Sequence, residues 1–481
     1  MKSILKITAT TLILLIICSV FSASAATVEQ LKQQLNSYYM ILVNRDHLVN
    51  DKYQPTDLVT YPGSSYRLNR TCAAALKEMI DACAANTSER LVLYSGYRTY
   101  QTQYNKYYGK INQYISRGYS KSEAIRLTNQ YYAPPGGSEH HTGLAADICT
   151  PSIVNRYGQL DSSFANTAEG KWLRNNCHKY GFILRYDKGK ENITGYNYEP
   201  WHFRYIGKEH AKEVARLGIT YEEYITRMKT TVSALATAPT FTYKNNKVYF
   251  SAKNATIRYT TDTKTPTASS KVYTDGLGGK DITYKAITCL NGYTSPVATV
   301  TVTKYGDVFK DININDWYYE NVSTAVHKQL FNGMGNYEFA PNGTMTRAMA
   351  VQVLANISGI DLTSYTSKTK FADVKPTAWY ARAVAWATEN NIVAGIGQNK
   401  FAPDNAVTRE QICVMLYNQS GATAEESIPF TDAADVSPWA KAAVAYCAKE
   451  KIINGYPNGS FKPRASITRA EMATITLSYI E

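Results

Sequence analysis

One short segment of the chain concentrates side chains that bind metals. GGSEHHTGLAAD (136–147) contains His140, His141 and Asp147 among three glycines. In a helix, His140 and Asp147 would lie ~10.5 Å apart along the axis, too far to share one ion. Gly143 and the preceding Pro-Pro-Gly-Gly run favour a loop or strand that folds back instead. The segment therefore predicts part of a metal site, and it is not the helical H-E-x-x-H zinc motif.

A second segment, YNYEPWHFRY, offers the missing ligand. Glu199 lies three residues before His202, with aromatic residues on both sides. Pro200 excludes a helix interior, so the two side chains must converge through a bent, extended backbone. A catalytic zinc ion needs three protein ligands and an open position for water. Together, His140, Asp147 and His202 make up such a ligand set, with Glu199 as the general base.

Nucleophilic catalysis by a hydroxyl or thiol fits the sequence less well. Ser138 precedes both histidines, but no nucleophile-elbow pattern surrounds it. Cys149 and Cys177 also lack a supporting motif. The residue pattern therefore favours metal-assisted hydrolysis over covalent catalysis.

The last third of the chain contains an internal repeat. Three segments begin with Phe-x-Asp, continue into a helical pattern, and are followed by a turn and a second helical pattern. In each copy the tryptophan of the first helix precedes the arginine of the second by thirty residues. The three pairs are Trp317 and Arg347, Trp379 and Arg409, and Trp439 and Arg469. A constant spacing in three copies indicates one structural unit used three times.

The second helix of each repeat has a start signal. Thr468 with Glu471 and Thr408 with Gln411 have the spacing of a capping box, whereas Thr346 keeps only the cap. The arginine then occupies the first helical position, where its charge and the free N–H groups of the helix start can face a common anion. The alternative is that the threonine caps the helix and the arginine is merely solvated.

The residue pattern of the region 236–304 is typical of short strands. KVYFSA, ATIRYTTD, ITYKAITCL and VATVTV alternate apolar with polar residues, and turn-forming sequences separate them. A period of two with frequent turns predicts a small β-sandwich. ALATAPT (234–240) has the composition of a linker into it. As a role for this region, a spacer is favoured over a glycan-binding module.

The first residues carry an export signal. Two lysines precede an apolar run of ~15 residues, and Ala-Ser-Ala then forms a small-x-small cleavage pattern. We therefore predict a signal peptide at 1–25 and a mature chain that begins near Ala26. The rival interpretation is a lipoprotein acylated at Cys18, which the bulky Ile17 disfavours. Because a membrane span needs ~20 apolar residues, we expect an exported, soluble protein without a span in its mature part.

The net charge limits the kinds of binding partner, and the cysteine content limits the kinds of structural crosslink. The formal net charge is +13, and the basic residues are scattered rather than gathered into an arm. For an exported protein, this charge favours anionic wall polymers or lipids over nucleic acid. Seven cysteines follow the signal, an odd number without a CxxC pair, which argues against a zinc knuckle and a complete disulfide framework. A single Cys149–Cys177 bridge is compatible with the spacing.

The three repeats resemble the surface-layer homology (SLH) domains of bacterial surface proteins. The Phe-x-Asp opening, the helix tryptophan and the Thr-Arg-Ala-Glu-like box all match over 305–481, although the first repeat departs at Ala348-Met349. The resemblance implies an all-α, three-lobed bundle that binds secondary cell-wall polysaccharide in the grooves between repeats. The residues it implies as polymer contacts are Arg347, Arg409, Arg469, Trp317, Trp379 and Trp439.

Residues 40–225 resemble the zinc D-alanyl-D-alanine carboxypeptidases of the VanY type. The matching motifs are S-E-H-x-x-G-x-A-x-D, S-G-Y-R-T-Y-x-x-Q and E-P-W-H-F-R-Y. The resemblance implies that His140, Asp147 and His202 hold zinc and that Glu199 is the catalytic acid and base.

The same resemblance implies roles for further side chains around the metal. It assigns Arg98 to the developing oxyanion and to the substrate, and it makes Ser138 and Gln103 substrate contacts. His141 occupies a variable position of the motif and is therefore not expected to bind the metal. The implied substrate is the peptide stem of peptidoglycan, from which the terminal D-alanine is removed.

These observations together predict a multidomain architecture. The expected order is a signal peptide, an α+β zinc peptidase domain of the hedgehog/D-Ala-D-Ala peptidase type, a β-sandwich and three SLH repeats. The sandwich resembles the chitobiase C-terminal-like, Ig-type modules of bacteria. The expected boundaries are 1–25, 26–235, 236–304, 305–361, 362–421 and 422–481.

The expected function is that of an exported, wall-anchored zinc D,D-carboxypeptidase of a Gram-positive bacterium. An L,D-carboxypeptidase or a peptidoglycan endopeptidase with the same zinc site is an alternative, because the sequence does not set the depth of the pocket. An alternative of another class is a structural surface-layer protein whose peptidase domain does not cut.

Overall fold

The structure is a computed structural model that describes residues 25–423 and 427–481. The predicted signal peptide, with the rival acylation site at Cys18, lies outside these residues except for Ala25. Ala26–Ala236 form one compact unit, and Thr237–Glu481 belong to a second. Within the described ranges, every helix falls short of the length or the apolarity that crossing a membrane requires.

The first unit mixes helices with short strands. Its helices are α1 (Val28–Leu35), α2 (Arg70–Ala84), α3 (Tyr100–Ser116), α4 (Lys121–Asn129), α5 (Pro151–Tyr157), α6 (Ala168–Asn176), α7 (Glu191–Thr194), α8 (Lys208–Leu217) and α9 (Tyr221–Leu235). Its strands are β1 (Ala26–Thr27), β2 (Leu58–Thr60), β3 (Arg67–Asn69), β4 (Val92–Ser95), β5 (Ala145–Cys149), β6 (Phe182–Leu184) and β7 (His202–Tyr205).

A four-stranded antiparallel sheet forms the centre of this unit, in the order β4-β5-β7-β6. All five residues of β5 are buried, as expected for a central strand covered on both faces. Helix α2 contributes Leu76, Met79 and Ile80 to the same core as Ile148 and Phe203 of the sheet. Its buried residues recur at helical spacing, so one face of α2 packs on the sheet and fixes the position of the central strands.

The second unit begins with two antiparallel sheets. Its strands are β8 (Thr240–Lys244), β9 (Lys247–Ser251), β10 (Thr256–Thr260), β11 (Lys271–Val272), β12 (Leu277–Gly278), β13 (Ile282–Leu290), β14 (Tyr293–Thr294), β15 (Ala298–Val302) and β16 (Val308–Phe309). Strands β8, β9 and β12 form one sheet, and β10, β11, β13, β14, β15 and β16 lie in the other. Side chains of both sheets share one core, to which Val248 and Val300 belong.

The turn between β8 and β9 has a local cause. Asn245 and Asn246 both adopt positive φ angles, of 50° and 57°. Two central residues with φ > 0 match the right-handed twist of the flanking strands, and asparagine tolerates this conformation. The four segments that were predicted as strands all lie on observed strands, namely β9, β10, β13 and β15.

The repeats follow as three pairs of helices. These are α10 (Tyr319–His327), α11 (Arg347–Ser358), α12 (Ala381–Glu389), α13 (Arg409–Ser420), α14 (Lys441–Lys449) and α15 (Arg469–Ile480). Apolar residues of all six helices form a single core. The predicted capping boxes of Thr408 and Thr468 are present, and Thr346 caps α11 through the backbone N–H of Met349 alone, as predicted.

A cyclic set of backbone hydrogen bonds joins the three repeats. Met345 N donates to Ile467 O at 2.9 Å, Val407 N donates to Met345 O at 3.0 Å, and Ile467 N donates to Val407 O at 3.1 Å. Each repeat therefore donates to one neighbour and accepts from the other, which closes the ring. The segments before the second helices pair as isolated β-bridges, a detail that the predicted all-α bundle did not include.

Candidate metal centre

Strand register brings the two chemically distinctive segments together. Asp147 of β5 lies directly opposite His202 of β7, and Ser95 of β4 lies opposite Asp147 on the other side. Neighbouring strands are ~4.8 Å apart, so opposite side chains on one face touch. His202 Nδ1 accordingly lies 2.9 Å from Asp147 Oδ1, although fifty-five residues separate them in sequence.

His140 reaches the same point from a 3-10 turn, Glu139–Thr142, that precedes β5. Gly143 ends this turn at φ +68°, and a Cβ there would meet Leu58 Cδ2 at 2.7 Å. This glycine is required by both its conformation and its surroundings, and it lets the chain fold back into the strand. His140 Nδ1 donates to Gly96 O at 2.7 Å, and its Nε2 lies 3.1 Å from Asp147 Oδ2.

The three side chains make a compact set of metal donors. The ligand atoms of His140, Asp147 and His202 all lie within 4.8 Å of one another, and all three residues are buried. Gly96 O holds one nitrogen of His140, which leaves Nε2 for a metal, while His202 presents Nδ1. Two imidazole nitrogens and a carboxylate are a donor set suited to catalytic zinc, so the residues present fit that ion.

The electrostatics of the three ligands agree with this arrangement. Burial alone would raise the pKa of Asp147, but His140 and His202 hold it well below its ordinary value. Burial lowers the pKa of His140 to about 4, so its ring is neutral at pH 7. Burial also acts to lower the pKa of His202, but hydrogen bonds to Asp147 and Glu139 raise it to about 9. Asp147 and His140 are therefore already in the forms that bind metals, whereas His202 is protonated at pH 7 and has to release its Nδ1 proton when a metal binds.

Glu199 lies beside the donor set without belonging to it. It begins the turn that leads into β7, in which His202 N donates to Glu199 O at 3.1 Å. Its carboxylate oxygen Oε2 lies 3.9 Å from His202 Nδ1. Burial, opposed by His202 and reinforced by Asp147, raises the pKa of Glu199 to about 8. A carboxyl group with such a pKa can both accept and release a proton near neutral pH.

Arg98 lies between β4 and α3 and points at the same centre. Its Nη2 donates to Asp147 Oδ2 at 3.1 Å and to Ser95 Oγ at 2.9 Å, and its Nε donates to Ser95 Oγ at 3.1 Å. Its Nη1 donates to Gln103 Oε1 at 3.3 Å. A guanidinium has five N–H donors, so one donor on Nη1 is available to another partner.

A cleft of about 650 Å³ opens over these residues. Arg98, Gln103, Ser138 and Glu199 all line it together with the three metal donors. His141 is held elsewhere, since its Nδ1 donates to Arg98 O at 2.9 Å and its Nε2 accepts from Gly136 N at 3.2 Å. The cleft thus gathers the side chains singled out for zinc, proton transfer and substrate, and His141 supports the surrounding backbone.

Residues 65–208 match the VanY family, described as D-alanyl-D-alanine carboxypeptidase. The bifunctional D-Ala-D-Ala dipeptidase and D-Ala-D-Ala carboxypeptidase VanXYC of Enterococcus gallinarum is 32% identical over 197 residues, which cover 40% of this chain and 97% of that protein. The chain belongs to the VanY family.

Two further proteins are similar to the VanY domain. The D-alanyl-D-alanine carboxypeptidase of Enterococcus faecalis is 32% identical over 190 residues, which cover 40% of this chain and 66% of that one. The crystal structure of a mutant vancomycin resistance D,D-pentapeptidase VanY from a VanB-type cassette, in complex with Zn(II), is 32% identical, with a TM-score of 0.34 and coverage of 39% of this chain and 99% of that one.

Residues 308–350, 370–413 and 429–473 match the S-layer homology domain, SLH. The predicted combination of a VanY-type carboxypeptidase with three SLH repeats is therefore confirmed. The repeats indicate association with the cell surface. The Cys149–Cys177 bridge with which the spacing is compatible does not form in this structure, in which both thiols are free.

Sequence reasoning missed Glu139, which is fully buried behind the VanY metal donors. Its Oε1 accepts from Arg185 Nε at 2.8 Å and from Arg204 Nη1 at 3.0 Å, and its Oε2 lies 3.4 Å from His202 Nε2. Burial acts to raise the pKa of Glu139, but the two arginines hold it well below its ordinary value. The carboxylate can therefore accept from His202 Nε2–H and direct Nδ1 toward the metal.

The signal for Glu139 is present in the sequence but ambiguous. A glutamate adjacent to a metal-binding histidine in SEHH is as consistent with a solvent-exposed turn as with a buried one. Its partner Arg185 also binds Glu222 at the start of α9, with Nη1 donating to Oε2 at 3.0 Å. These partners lie 37 to 65 residues apart in sequence, so only the fold reveals the cluster.

The SLH-repeat arginines that were predicted to face an anion are buried. Each guanidinium donates from Nε and Nη2 to two backbone carbonyls of the next repeat. Arg347 binds Phe401 O and Ala394 O, Arg409 binds Phe461 O and Asn454 O, and Arg469 binds Phe339 O and Asn332 O, at 2.7 to 3.0 Å. Each arginine thus uses two of its five N–H donors to hold the ring of repeats together, and an anion contact through the remaining donors stays a prediction.

The repeat tryptophans behave in the opposite way. Trp317, Trp379 and Trp439 are 67%, 63% and 58% exposed, high values for the largest apolar side chain. Trp317 and Trp379 each meet the ring of the following tyrosine edge-on, at 5.3 and 5.2 Å between centroids. Exposed aromatic faces at equivalent positions are typical of surfaces that contact a ligand.

Proposed function

We propose that this protein is an exported, wall-anchored zinc carboxypeptidase that removes the terminal D-alanine from peptidoglycan stem peptides. The observation that carries the proposal is the buried donor set of His140, Asp147 and His202, with Glu199 beside it at the floor of an open cleft. A surface-associated enzyme has its substrate at hand, which agrees with the SLH repeats.

We assign zinc as the metal of this site. The chemistry that zinc supplies in such a site is the activation of water near neutral pH and the polarisation of a carbonyl group. Glu199 has a position and a pKa suited to taking the proton from the attacking water on its carboxylate and passing it to the departing amine. The same carboxyl group thus acts first as base and then as acid.

The remaining residues stabilise charge and hold the substrate. The free N–H on Arg98 Nη1 is suited to the oxygen that becomes negative as the scissile carbonyl is attacked. Asp147 accepts from Arg98 Nη2 and so fixes the guanidinium at the metal donors. Ser138 and Gln103 line the cleft and are assigned to substrate contact.

The domain limits belong to the same proposal. We assign 26–235 to the peptidase, with a hedgehog/D-Ala-D-Ala peptidase-like fold, and 236–304 to an Ig-like, chitobiase C-terminal-like spacer. The SLH repeats are assigned to 305–361, 362–421 and 422–481. The signal peptide is assigned to 1–25, which directs the chain across the membrane of a Gram-positive cell.

Metal analysis and product analysis test the enzymatic proposal. The purified protein is expected to hold about one zinc per chain and to release D-alanine from a stem pentapeptide. Equal or better activity on a tetrapeptide would instead identify an L,D-carboxypeptidase, and cleavage of cross-linked muropeptides would identify an endopeptidase. Undetectable hydrolysis by fully zinc-loaded protein would leave only the structural alternative.

We further propose that the SLH repeats bind secondary cell-wall polysaccharide through their exposed tryptophans and the remaining guanidinium donors of the ring. Replacement of Trp317, Trp379 and Trp439 by alanine is expected to release the protein from isolated walls without unfolding it, because all three side chains are exposed. Replacement of the three buried arginines is the weaker test, since unfolding alone would abolish binding. Wild-type retention of the triple tryptophan variant would contradict the proposal.

A further inference from the structure

One face of helix α3 extends the cleft away from the metal donors. Gln103, Lys106, Lys110 and Tyr114 all line the cleft, at spacings of three, four and four residues. This is the period of a single helix face, so the four side chains form one row. The row begins at Gln103, which Arg98 contacts, and runs outward with two cationic side chains.

A carboxypeptidase must bind a negative charge that an endopeptidase never meets. The C-terminal carboxylate of the substrate lies one residue beyond the scissile carbonyl, ~3.8 Å along the chain. Arg98 is poorly available for it, since Asp147, Ser95 and Gln103 already occupy its donors except one on Nη1. That last donor is assigned to the developing oxyanion.

Lys106 is the next cation along the cleft, and its ammonium group is not occupied by other side chains in this way. Among the described residues, its ammonium group makes neither an ion pair nor a hydrogen bond. Lys110, by contrast, donates to Gln113 Oε1 at 2.9 Å and lies 5.0 Å from the ring centre of Tyr114. Burial and the proximity of Arg98 lower the pKa of Lys106, while Asp147 acts to raise it, so the ammonium senses both charges at the site.

Helix geometry places the two lysines at different depths. With a rise of ~1.5 Å per residue, Lys106 lies ~4.5 Å along the axis from Gln103, and Lys110 lies ~10.5 Å from it. The first spacing is that of one peptide residue, whereas the second exceeds it severalfold. Of the two lysines, Lys106 is therefore the one whose offset from Gln103 matches the step from a reacting carbonyl to a terminal carboxylate.

We propose that Lys106 binds the terminal carboxylate of the substrate and thereby makes this VanY site select chain ends over internal peptide bonds. The inference rests on the proposed carboxypeptidase function. It adds the residue that binds the C-terminal carboxylate of the peptide. A charge-assisted hydrogen bond from the ammonium to the carboxylate supplies the discrimination.

Paired substrates that differ only in the terminal charge test this role. Nα,Nε-diacetyl-L-lysyl-D-alanyl-D-alanine carries its single carboxylate at the C-terminus, and its C-terminal amide carries none. The full-length zinc-loaded protein is expected to prefer the acid by about 10- to 100-fold in kcat/KM, the fold-change for losing one hydrogen bond to a charged group. Release of D-alanine or D-alaninamide is measured by chromatography.

Three variants separate carboxylate binding from a general effect on the cleft. Lys106→Gln is expected to lose most of the preference through a higher KM for the acid, with the amide unaffected. Lys106→Arg is expected to keep most of it. The matched control is Lys110→Gln, which removes the same charge from the same helix face and is expected to keep the wild-type preference.

The outcomes distinguish failure of this inference from failure of the function beneath it. If the wild-type protein cleaves neither substrate, the proposed function fails and the role of Lys106 with it. If Lys106→Gln keeps the preference, or loses activity equally on acid and amide, the function stands and the role of Lys106 is refuted. The role is also refuted if Lys106→Gln alters activity only on stem peptides with a side-chain carboxylate at the third residue, because Lys106 would then bind that carboxylate.

Discussion

The VanY domain and the SLH repeats both bury charged side chains, but they pair them with different partners. Behind the metal donors, Glu139 is buried between Arg185 and Arg204, so charge meets opposite charge. In the repeats, the hydrogen bonds of a buried arginine such as Arg347 go to backbone carbonyls, which carry only partial charges. The first arrangement holds a histidine in one orientation, and the second joins one repeat to the next.

This difference reflects the roles of the two regions: the metal centre is a candidate catalytic site, whereas the repeat arginines form a structural joint between repeats. A catalytic centre must direct atoms of several side chains at one point, as the ligand atoms of His140, Asp147 and His202 are. The other ring nitrogens of the two histidines are held by Gly96 O and Glu139. A joint has no such need, and each repeat arginine donates from Nε and Nη2 to carbonyls of the neighbouring repeat. Substitutions in the metal centre should therefore impair catalysis or zinc binding, whereas substitution of a repeat arginine should destabilise the contact between repeats.

The largest expected effect comes from Glu199→Gln. The amide cannot accept the proton of the attacking water, so kcat should fall by about 10² to 10⁴ while zinc content and thermal unfolding stay close to wild type. Steady-state release of D-alanine and metal analysis measure both properties. Glu191→Gln is the control, since Glu191 lies on α7 and does not line the cleft. Comparable kcat values for the Glu199 variant and wild type would remove Glu199 from the mechanism.

Glu139→Gln tests the buried carboxylate behind the ligand. Two arginines lose their counter-charge, which should cost about 3–5 kcal/mol in the free energy of unfolding of the metal-free protein. Replacing the charged acceptor of His202 Nε2–H by a neutral amide should weaken zinc binding by about 10- to 100-fold. Competition with a chromophoric chelator measures the affinity, and thermal unfolding measures the stability.

Glu222→Gln is a matched control for that experiment. Glu222 shares Arg185 with Glu139 but does not contact His202. It should therefore lower stability and leave zinc affinity unchanged. If both variants weaken zinc binding equally, the effect of Glu139 is structural and its role in orienting His202 is refuted.

Arg409→Met tests the joint between the second and third repeats. Methionine preserves the buried bulk but leaves Phe461 O and Asn454 O without a donor, at a cost of about 2 to 4 kcal/mol. Hydrogen exchange measured by mass spectrometry should rise in α13 and α15, with the VanY domain and its activity unchanged. Arg464→Met in the third repeat is the control, because Arg464 is exposed. Equal protection in the two variants would mean that the carbonyl contacts do not hold the ring.

The smallest expected effect is the pH dependence of the repeat loops. Burial acts to raise the pKa of Asp432, but hydrogen bonds from Phe461 N and Lys462 N hold it below its ordinary value. A depressed folded pKa contributes stability above the unfolded value of ~3.9. That contribution is lost as the pH falls through the folded pKa, and we expect it to be about 1 kcal/mol.

Denaturation of the full chain at pH 6 and pH 3 measures this term. Asp432→Asn should show a smaller loss of stability between the two pH values than wild type. The exposed Asp404 provides the control substitution, Asp404→Asn. A wild-type pH dependence in the Asp432 variant would show that other carboxylates dominate the acid response.

Much of the site was predictable because the relevant signals are local or depend on residue type. The chain has seven histidines, and few positions combine one with a nearby carboxylate and a backbone that can bend. Glycine and proline around His140, and Pro200 before His202, ruled out helices at both segments. Helix caps were equally predictable, since the capping hydrogen bonds of Thr408 and Thr468 join groups three residues apart.

The sequence by itself determined the donor types, the repeat and the helix starts, because these depend on side-chain chemistry and on contacts within one turn. Only the tertiary structure decided which charges are buried. Glu139 acquired its role from arginines in β7 and just after β6, and the repeat arginines turned inward because a neighbouring repeat offers carbonyls there. A charged side chain follows whichever partner lowers its desolvation cost, and that partner is set by long-range packing.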